Sequence, residues 1–70
     1  MIELRSLRQF VTVAEELHFG RAALRLHMTQ PPLTQAIQKL ELALGAPLFE
    51  RTSRSVRLSP AGTALQIGRA

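Results

Sequence analysis

The stretch Gly20–Glu41, GRAALRLHMTQPPLTQAIQKLE, decides the fold. It reads as a short helix, a tight turn, and a second helix opened by Pro31-Pro32. Leu33, Ile37, Leu40 and Leu44 recur at i, i+4, i+7 and i+11, so they form one apolar stripe on that helix. Thr34, Gln35, Gln38 and Lys39 face away from the stripe or flank it. No acidic residue occurs from Leu17 to Leu40. A helix with no negative charge on its polar face can approach the phosphates that line a DNA groove.

Upstream, Leu4, Leu7, Phe10, Val11, Ala14 and Leu17 fall at helical spacing. They predict a first helix from about Leu4 to Leu17, with Arg5, Arg8, Gln9, Glu15 and Glu16 on its wet side. His18 to Gly20 is a turn, and Phe19 plugs the core. The second helix is expected from about Arg21 to His27, with Gly20 at its N-cap and Ala22, Ala23 and Leu26 packed. The paired alanines let a neighbouring helix come close. His27 would favour the negative end of that helix's dipole. Met28 and Thr29 form the next turn. The third helix then runs from Gln30 or Pro31 to Leu44, with Gly45 as its left-handed stop.

Downstream the period changes. Pro47 breaks the helix. Leu48-Phe49-Glu50-Arg51 and Val56-Arg57-Leu58 are strand candidates around the polar tip Thr52-Ser53-Arg54-Ser55, which reads as a hairpin. Ser59-Pro60 is an N-cap followed by proline at the first helical position, so a fourth helix begins there. The order is helix, helix, helix, hairpin, helix: a mainly α winged helix-turn-helix. The expected domain covers 1–58, with the helix-turn-helix motif at about 19–38, the third helix at about 30–44 and the wing at about 47–58. Residues 59–70 begin a further helix.

The double proline has a chemical consequence. Proline has no N–H and is tolerated in a first turn, where those donors lack intrahelical partners. If Thr29 is the N-cap, its hydroxyl would normally accept from the second or third helical N–H. Both positions are proline here, so the Thr29 hydroxyl is free for another partner, such as a phosphate oxygen. The prolines also stiffen the start of the helix and help to position Gln30. Gln30, Gln35 and Gln38 can each pair bidentately with adenine N6 and N7 in a major groove. Thr34 can donate to phosphate or touch a thymine methyl, and Lys39 can reach the backbone or guanine. A single glutamine is as well explained as a solvated helix former; three on one acid-free helix behind a tight turn favour contact.

At the wing, Arg51, Arg54 and Arg57 recur every three residues, with no acidic residue from Arg51 onward. Odd spacing alternates the faces of a strand, so they cannot all point one way. Arg54, with Ser53 beside it, stands at the tip and is the most free to enter a minor groove, where arginine favours narrow A·T-rich stretches. Arg51 and Arg57 are left to contact phosphate or to pair with Glu50. A solvated strand edge that discourages aggregation explains them equally well.

Composition bounds the alternatives. Seventy residues make one domain, and a 46% hydrophobic share supports a compact core. The formal charge of +4 favours a polyanionic partner. There is no cysteine, hence no disulfide framework and no thiolate metal site. No apolar run is long enough for a signal peptide or a bilayer span, so a reducing, cytoplasmic setting is the default. Three aromatic residues, all Phe, give little support to a single-strand stacking platform. His18 and His27 have no neighbours at ligand spacing. Glu15 and Glu16 are adjacent on a helix and point about 100° apart, so they are not a catalytic pair. No nucleophile–base arrangement and no phosphate-binding glycine loop is present: neither an enzyme nor a cofactor is expected.

The chain resembles the N-terminal DNA-binding domain of LysR-type transcriptional regulators. The resemblance runs from Leu7 through Gly62 and rests on an ordered set: Phe19, Ala22-Ala23, Leu26, Gln30-Pro31, Leu33, Ile37, Leu40-Glu41, Leu44-Gly45, Leu48-Phe49 and Arg51. It implies a bacterial regulator whose fourth helix is a linker that pairs with its twin. Homodimers would place two recognition helices on a dyad-symmetric, A·T-rich duplex. A further C-terminal domain would bind a small-molecule effector and assemble tetramers, and RNA polymerase is a further candidate partner. On that reading the chain is a fragment with a truncated linker helix. Carried over by position, Gln30, Pro31, Thr34, Gln35 and Arg54 are the DNA-contacting set. Where the family commonly has serine then arginine, this chain has Thr34 and Gln35. Glutamine lacks the charged fork that grips guanine, which shifts the expected base toward adenine. The family also often has Ser or Thr where Gly20 stands.

Two other classes compete. A winged helix can serve as a protein-contact adaptor, which would leave an apolar patch on the third helix. A basic amphipathic membrane binder would gather its cations along one helix, and here they are spread over several elements.

Overall fold

The computed structural model describes residues 3–68. The order is α1 (Leu4–Glu16), α2 (Phe19–Arg25), α3 (Gln30–Leu44), β1 (Phe49–Arg51), β2 (Val56–Leu58) and α4 (Pro60–Gly68). This is a mainly α winged helix-turn-helix. Residues 1–2 of the expected domain and 69–70 of the expected linker helix lie outside the described residues.

Helix α1 buries Phe10, Val13 and Ala14. Thr12 is also buried, and its hydroxyl donates to the Arg8 carbonyl at 2.8 Å, so its polar atom is satisfied. Leu17 lies outside the helix. It adopts φ 49°, ψ 36°, and its N–H donates to the Val13 carbonyl at 2.7 Å. That left-handed step turns the chain toward α2 and leaves Leu17 42% exposed, so it is not the last member of the buried stripe. Leu4 is 85% exposed, with no described element covering it.

Helix α2 starts two residues earlier than expected. His18, not Gly20, is its N-cap: the imidazole Nδ1 accepts from the Arg21 N–H at 3.0 Å. The reason is burial. Starting the helix at Phe19 aligns Phe19, Ala22 and Ala23, spaced i, i+3 and i+4, on the face turned to the core. Helix α2 ends at Arg25. His27 lies beyond it at φ 56°, in a turn whose Met28 N–H reaches the Ala23 carbonyl at 3.0 Å. The basic residue in the last turn is therefore Arg25. It bonds Glu15 at 2.9 Å and Glu16 at 3.1 Å, tying α2 back to α1, and those carboxylates raise its pKa above the ordinary guanidinium value.

Helix α3 lays Leu33, Ile37 and Leu40 into the core. Leu44 is at the last position and is 40% exposed, so the stripe ends a turn sooner than its spacing predicts. Gly45 closes the helix at φ 75°, its N–H on the Glu41 carbonyl at 2.8 Å. The wing then packs on the helices through an aromatic cluster. The Phe49 ring lies 5.5 Å from that of Phe10 and 5.8 Å, edge-on, from that of Phe19.

Strands β1 and β2 pair antiparallel, with Phe49 opposite Leu58, Glu50 opposite Arg57 and Arg51 opposite Val56. Leu48 is not in the ladder, because its backbone groups are taken elsewhere. Its N–H donates to the Glu41 carboxylate at 2.7 Å, and its carbonyl accepts from the Ser59 N–H at 2.9 Å. The Glu41 carboxylate also receives the Phe49 N–H at 3.4 Å. Ser59 caps α4: its Oγ accepts from the Gly62 N–H at 3.0 Å and donates to the Pro47 carbonyl. Helix α4 comes so close here that a Cβ on Gly62 would sit 2.2 Å from the Leu48 carbonyl oxygen.

Candidate nucleic-acid interface

The turn 26–29 and the double proline present the start of α3 to solvent. Thr29 is the N-cap of α3 with extended φ −86°, ψ 164°, and its side chain makes no capping bond. Thr29, Gln30 and Pro31 are exposed, as are Gln35, Gln38 and Lys39, and Thr34 is half-buried against the core. At about 100° per residue, these side chains fan across roughly half of the helix circumference.

The two edges of this fan face different neighbours. Gln30 shares a crevice with His18, Gly20 and the wing residues Arg51 to Val56. Gln38 faces a second crevice on the same side, with Phe19, Glu41, Phe49 and Arg51. Lys39 turns the other way, toward a groove against α1 that holds Glu3, Arg5, Ser6 and Gln9. The tertiary structure thus brings Gln30 and Arg54 to one crevice and sets Lys39 apart from them.

The wing tip is organised by a hydroxyl. Thr52 Oγ1 accepts the Ser55 N–H at 3.0 Å and the Arg54 N–H at 3.3 Å, and the Thr52 N–H reaches the Ser55 carbonyl at 2.9 Å. These bonds hold the backbone from which Ser53 and Arg54, both exposed, project. Arg57 pairs with Glu50 across the ladder at 3.6 Å. Arg51 pairs with no carboxylate among the described residues; its guanidinium lies 3.7 Å from the centre of the Phe19 ring.

Charge sorts accordingly. Arg25 and Arg57 are paired with glutamates, whereas among the described residues Arg54 and Lys39 make no ion pair. Unpaired cations flank the acid-free stretch from Gln30 to Lys39, which suits a polyanion. Leu42 of α3 is 83% exposed. Leu44 is 40% exposed but points about 160° away from Leu42 around the helix, so the two do not form the contiguous patch that an adaptor surface requires.

Four positions escaped the sequence reading. His18 is a poor statistical N-cap. Glu41 bonds residues seven and eight positions away, beyond any helical spacing rule. The Arg51–Phe19 stack joins β1 to α2 across 32 residues. Thr52 was legible in principle, since a threonine followed by Ser-Arg-Ser is a turn former. No group of three or more His, Cys, Asp or Glu able to hold a metal occurs among the described residues. Among the described residues no helix is long and apolar enough to cross a membrane.

Residues 4–63 match the family described as bacterial regulatory helix-turn-helix protein, lysR family. The chain is 67% identical over 61 residues to an uncharacterized HTH-type transcriptional regulator, YnfL, of Escherichia coli (strain K12), covering 87% of this chain and 20% of that protein. The chain thus spans about a fifth of the length of the curated relatives it matches. Among solved structures it is similar to a complex of the CbnR DNA-binding domain with DNA (TM-score 0.88, 45% identity, covering 97% of this chain and 79% of that one). It is also similar to a complex of the BenM DNA-binding domain with catB site 1 DNA (TM-score 0.90, 48% identity, covering 96% of this chain and 74% of that one).

Proposed function

Because the chain belongs to the lysR family of bacterial regulatory helix-turn-helix proteins, a family of transcriptional regulators, we propose that it binds double-stranded DNA sequence-specifically. Helix α3 enters the major groove, and Arg54 enters the adjacent minor groove. The observation that carries this reading is the exposed face of α3 from Gln30 to Lys39, which has no acidic residue and whose neighbour Glu41 is turned to the wing's backbone, standing beside a wing whose tip arginine makes no ion pair among the described residues. Gln30 and Gln35 read base edges, with adenine favoured opposite Gln35. Thr29, Thr34 and Lys39 serve the backbone, as does Ser53 at the wing. Gln38, turned toward the wing crevice, touches the strand between the two grooves. The similarity to domains solved on DNA supports the same docking geometry.

The whole regulator would act in the bacterial cytoplasm as a homodimer through α4 on a dyad-symmetric, A·T-rich site. It would form tetramers, contact RNA polymerase and bind its effector through a separate C-terminal domain. Binding-site selection from a random duplex pool, followed by titration at two salt concentrations, tests the core of this reading. A preferred sequence whose affinity falls steeply with salt is expected. Absence of binding, or binding indifferent to salt, would favour the adaptor instead.

A further inference from the structure

We infer that Arg51 is a positioning residue for the minor-groove arginine. Its guanidinium, seated on the Phe19 ring, sets the wing tip's distance from α3. The inference rests on the DNA-binding reading above.

Four observations carry it. The Arg51 guanidinium carbon is 3.7 Å from the Phe19 ring centre, well within cation–π range. Phe19 is itself immobilised: it is 5% exposed, and its ring meets that of Phe49 edge-on at 5.8 Å. Arg51 is the last residue of β1, in the final ladder pair with Val56, and the Thr52–Ser55 turn that carries Arg54 follows at once. Arg51 also lines both crevices between α3 and the wing, one with Gln38 and one with Gln30 and Arg54. A short two-stranded ribbon has little stability of its own. At its helix-proximal end this one is held by Phe49 in the core and by the Glu41 carboxylate; at the end nearest the tip β2 rests Val56 on the core, and Arg51 is the hold on the β1 side. Moving Arg51 off Phe19 loosens the segment that aims Arg54 and leaves α3 untouched.

The competing role is direct contact of Arg51 with a phosphate. Lysine separates the two, since it keeps the charge and loses the flat stacking surface. Arg51→Lys, Arg54→Ala and the double variant are titrated on the selected duplex, with and without its A·T-rich flank. Backbone 15N relaxation of residues 52–55 is measured on the free proteins. Arg51→Lys is expected to weaken binding about fivefold on the flanked duplex, the upper range for an exposed cation–π contact, and to change little without the flank. Arg54→Ala is expected to cost about tenfold, and the double variant little more than Arg54→Ala alone, because the two act on one contact. The tip amides of free Arg51→Lys should relax as a looser segment. Losses that multiply, an equal loss on both duplexes, or unchanged tip relaxation would each overturn the positioning role. A wild-type protein that binds no duplex would overturn the DNA-binding reading with it, whereas salt-dependent binding with multiplicative losses overturns this inference alone.

Discussion

Gly62 shows how a single hydrogen can decide a contact. A Cβ there would lie 2.2 Å from the Leu48 carbonyl oxygen, and that oxygen already accepts the Ser59 N–H. The tightest approach is to backbone, which cannot turn aside as the Leu58 side chain, 2.9 Å from the same Cβ, could. Gly62→Ala is expected to destabilise the fold by about 1–3 kcal/mol, the usual cost of overpacking, read as a lower denaturant midpoint. This outweighs the helix propensity gained from alanine, about 1 kcal/mol. Glu41 acts at the same scale. It stands on the helix proposed to read DNA, yet its carboxylate accepts two backbone N–H groups at the start of the wing. Glu41→Ala leaves the N–H of buried Leu48 without that partner and should cost about 1–3 kcal/mol. A melt without DNA checks it. For Gln35 the cost should appear only on DNA. Gln35→Ala is expected to lose about 1–3 kcal/mol on the preferred duplex and to relax one base position. A uniform loss across all sequences would sink its base-reading role.

At the level of elements, the wing is three ladder pairs and a turn held by one hydroxyl. Thr52→Val keeps the shape of the side chain and removes the acceptor for the Arg54 and Ser55 N–H groups. These donors are exposed and can turn to water, so global stability should change little. The effect falls on the aim of Arg54: discrimination between A·T-rich and G·C-rich flanks should shrink in Thr52→Val, measured by competition between the two duplexes. Helix α3 is the contrasting case. Its boundaries follow from proline and glycine chemistry, and its stripe of Leu33, Ile37 and Leu40 follows from a 3.6-residue period, so both were readable. Helix α2 was misplaced by two residues because capping preference argues against histidine, whereas burial of Phe19 requires the earlier start. Packing outweighs local propensity in a helix of seven residues.

For the molecule as a whole, charge is partitioned rather than merely positive. Glutamates pair with Arg25 of α2 and with Arg57 on the strand ladder. The one carboxylate of α3, Glu41, is bonded to the wing's backbone, so the sector from Gln30 to Lys39 with the wing tip carries no free negative charge. Binding should therefore be strongly salt-dependent. Each phosphate contact contributes about 0.9 to the slope of log affinity against log salt. Lys39→Ala is expected to lower that slope by about one and to weaken all duplexes alike. Arg54→Ala should lower it by a similar amount while weakening A·T-rich flanks most. A Lys39 variant with an unchanged slope would remove the lysine from the interface.

The sequence by itself determined the order of elements, the core stripe of α3 as far as Leu40, its freed Thr29 hydroxyl and the absence of acid from Gln30 to Lys39. Each of these follows from spacing, from the missing N–H of proline or from the absence of a residue type within one short segment. The tertiary structure alone decided which candidates meet. It joined Gln30 to the wing, turned Lys39 toward α1, set Arg51 on Phe19 and gave Glu41 to the wing's backbone. Those contacts bridge residues far apart along the chain, and their geometry depends on how the helices and the hairpin pack, which no local periodicity encodes.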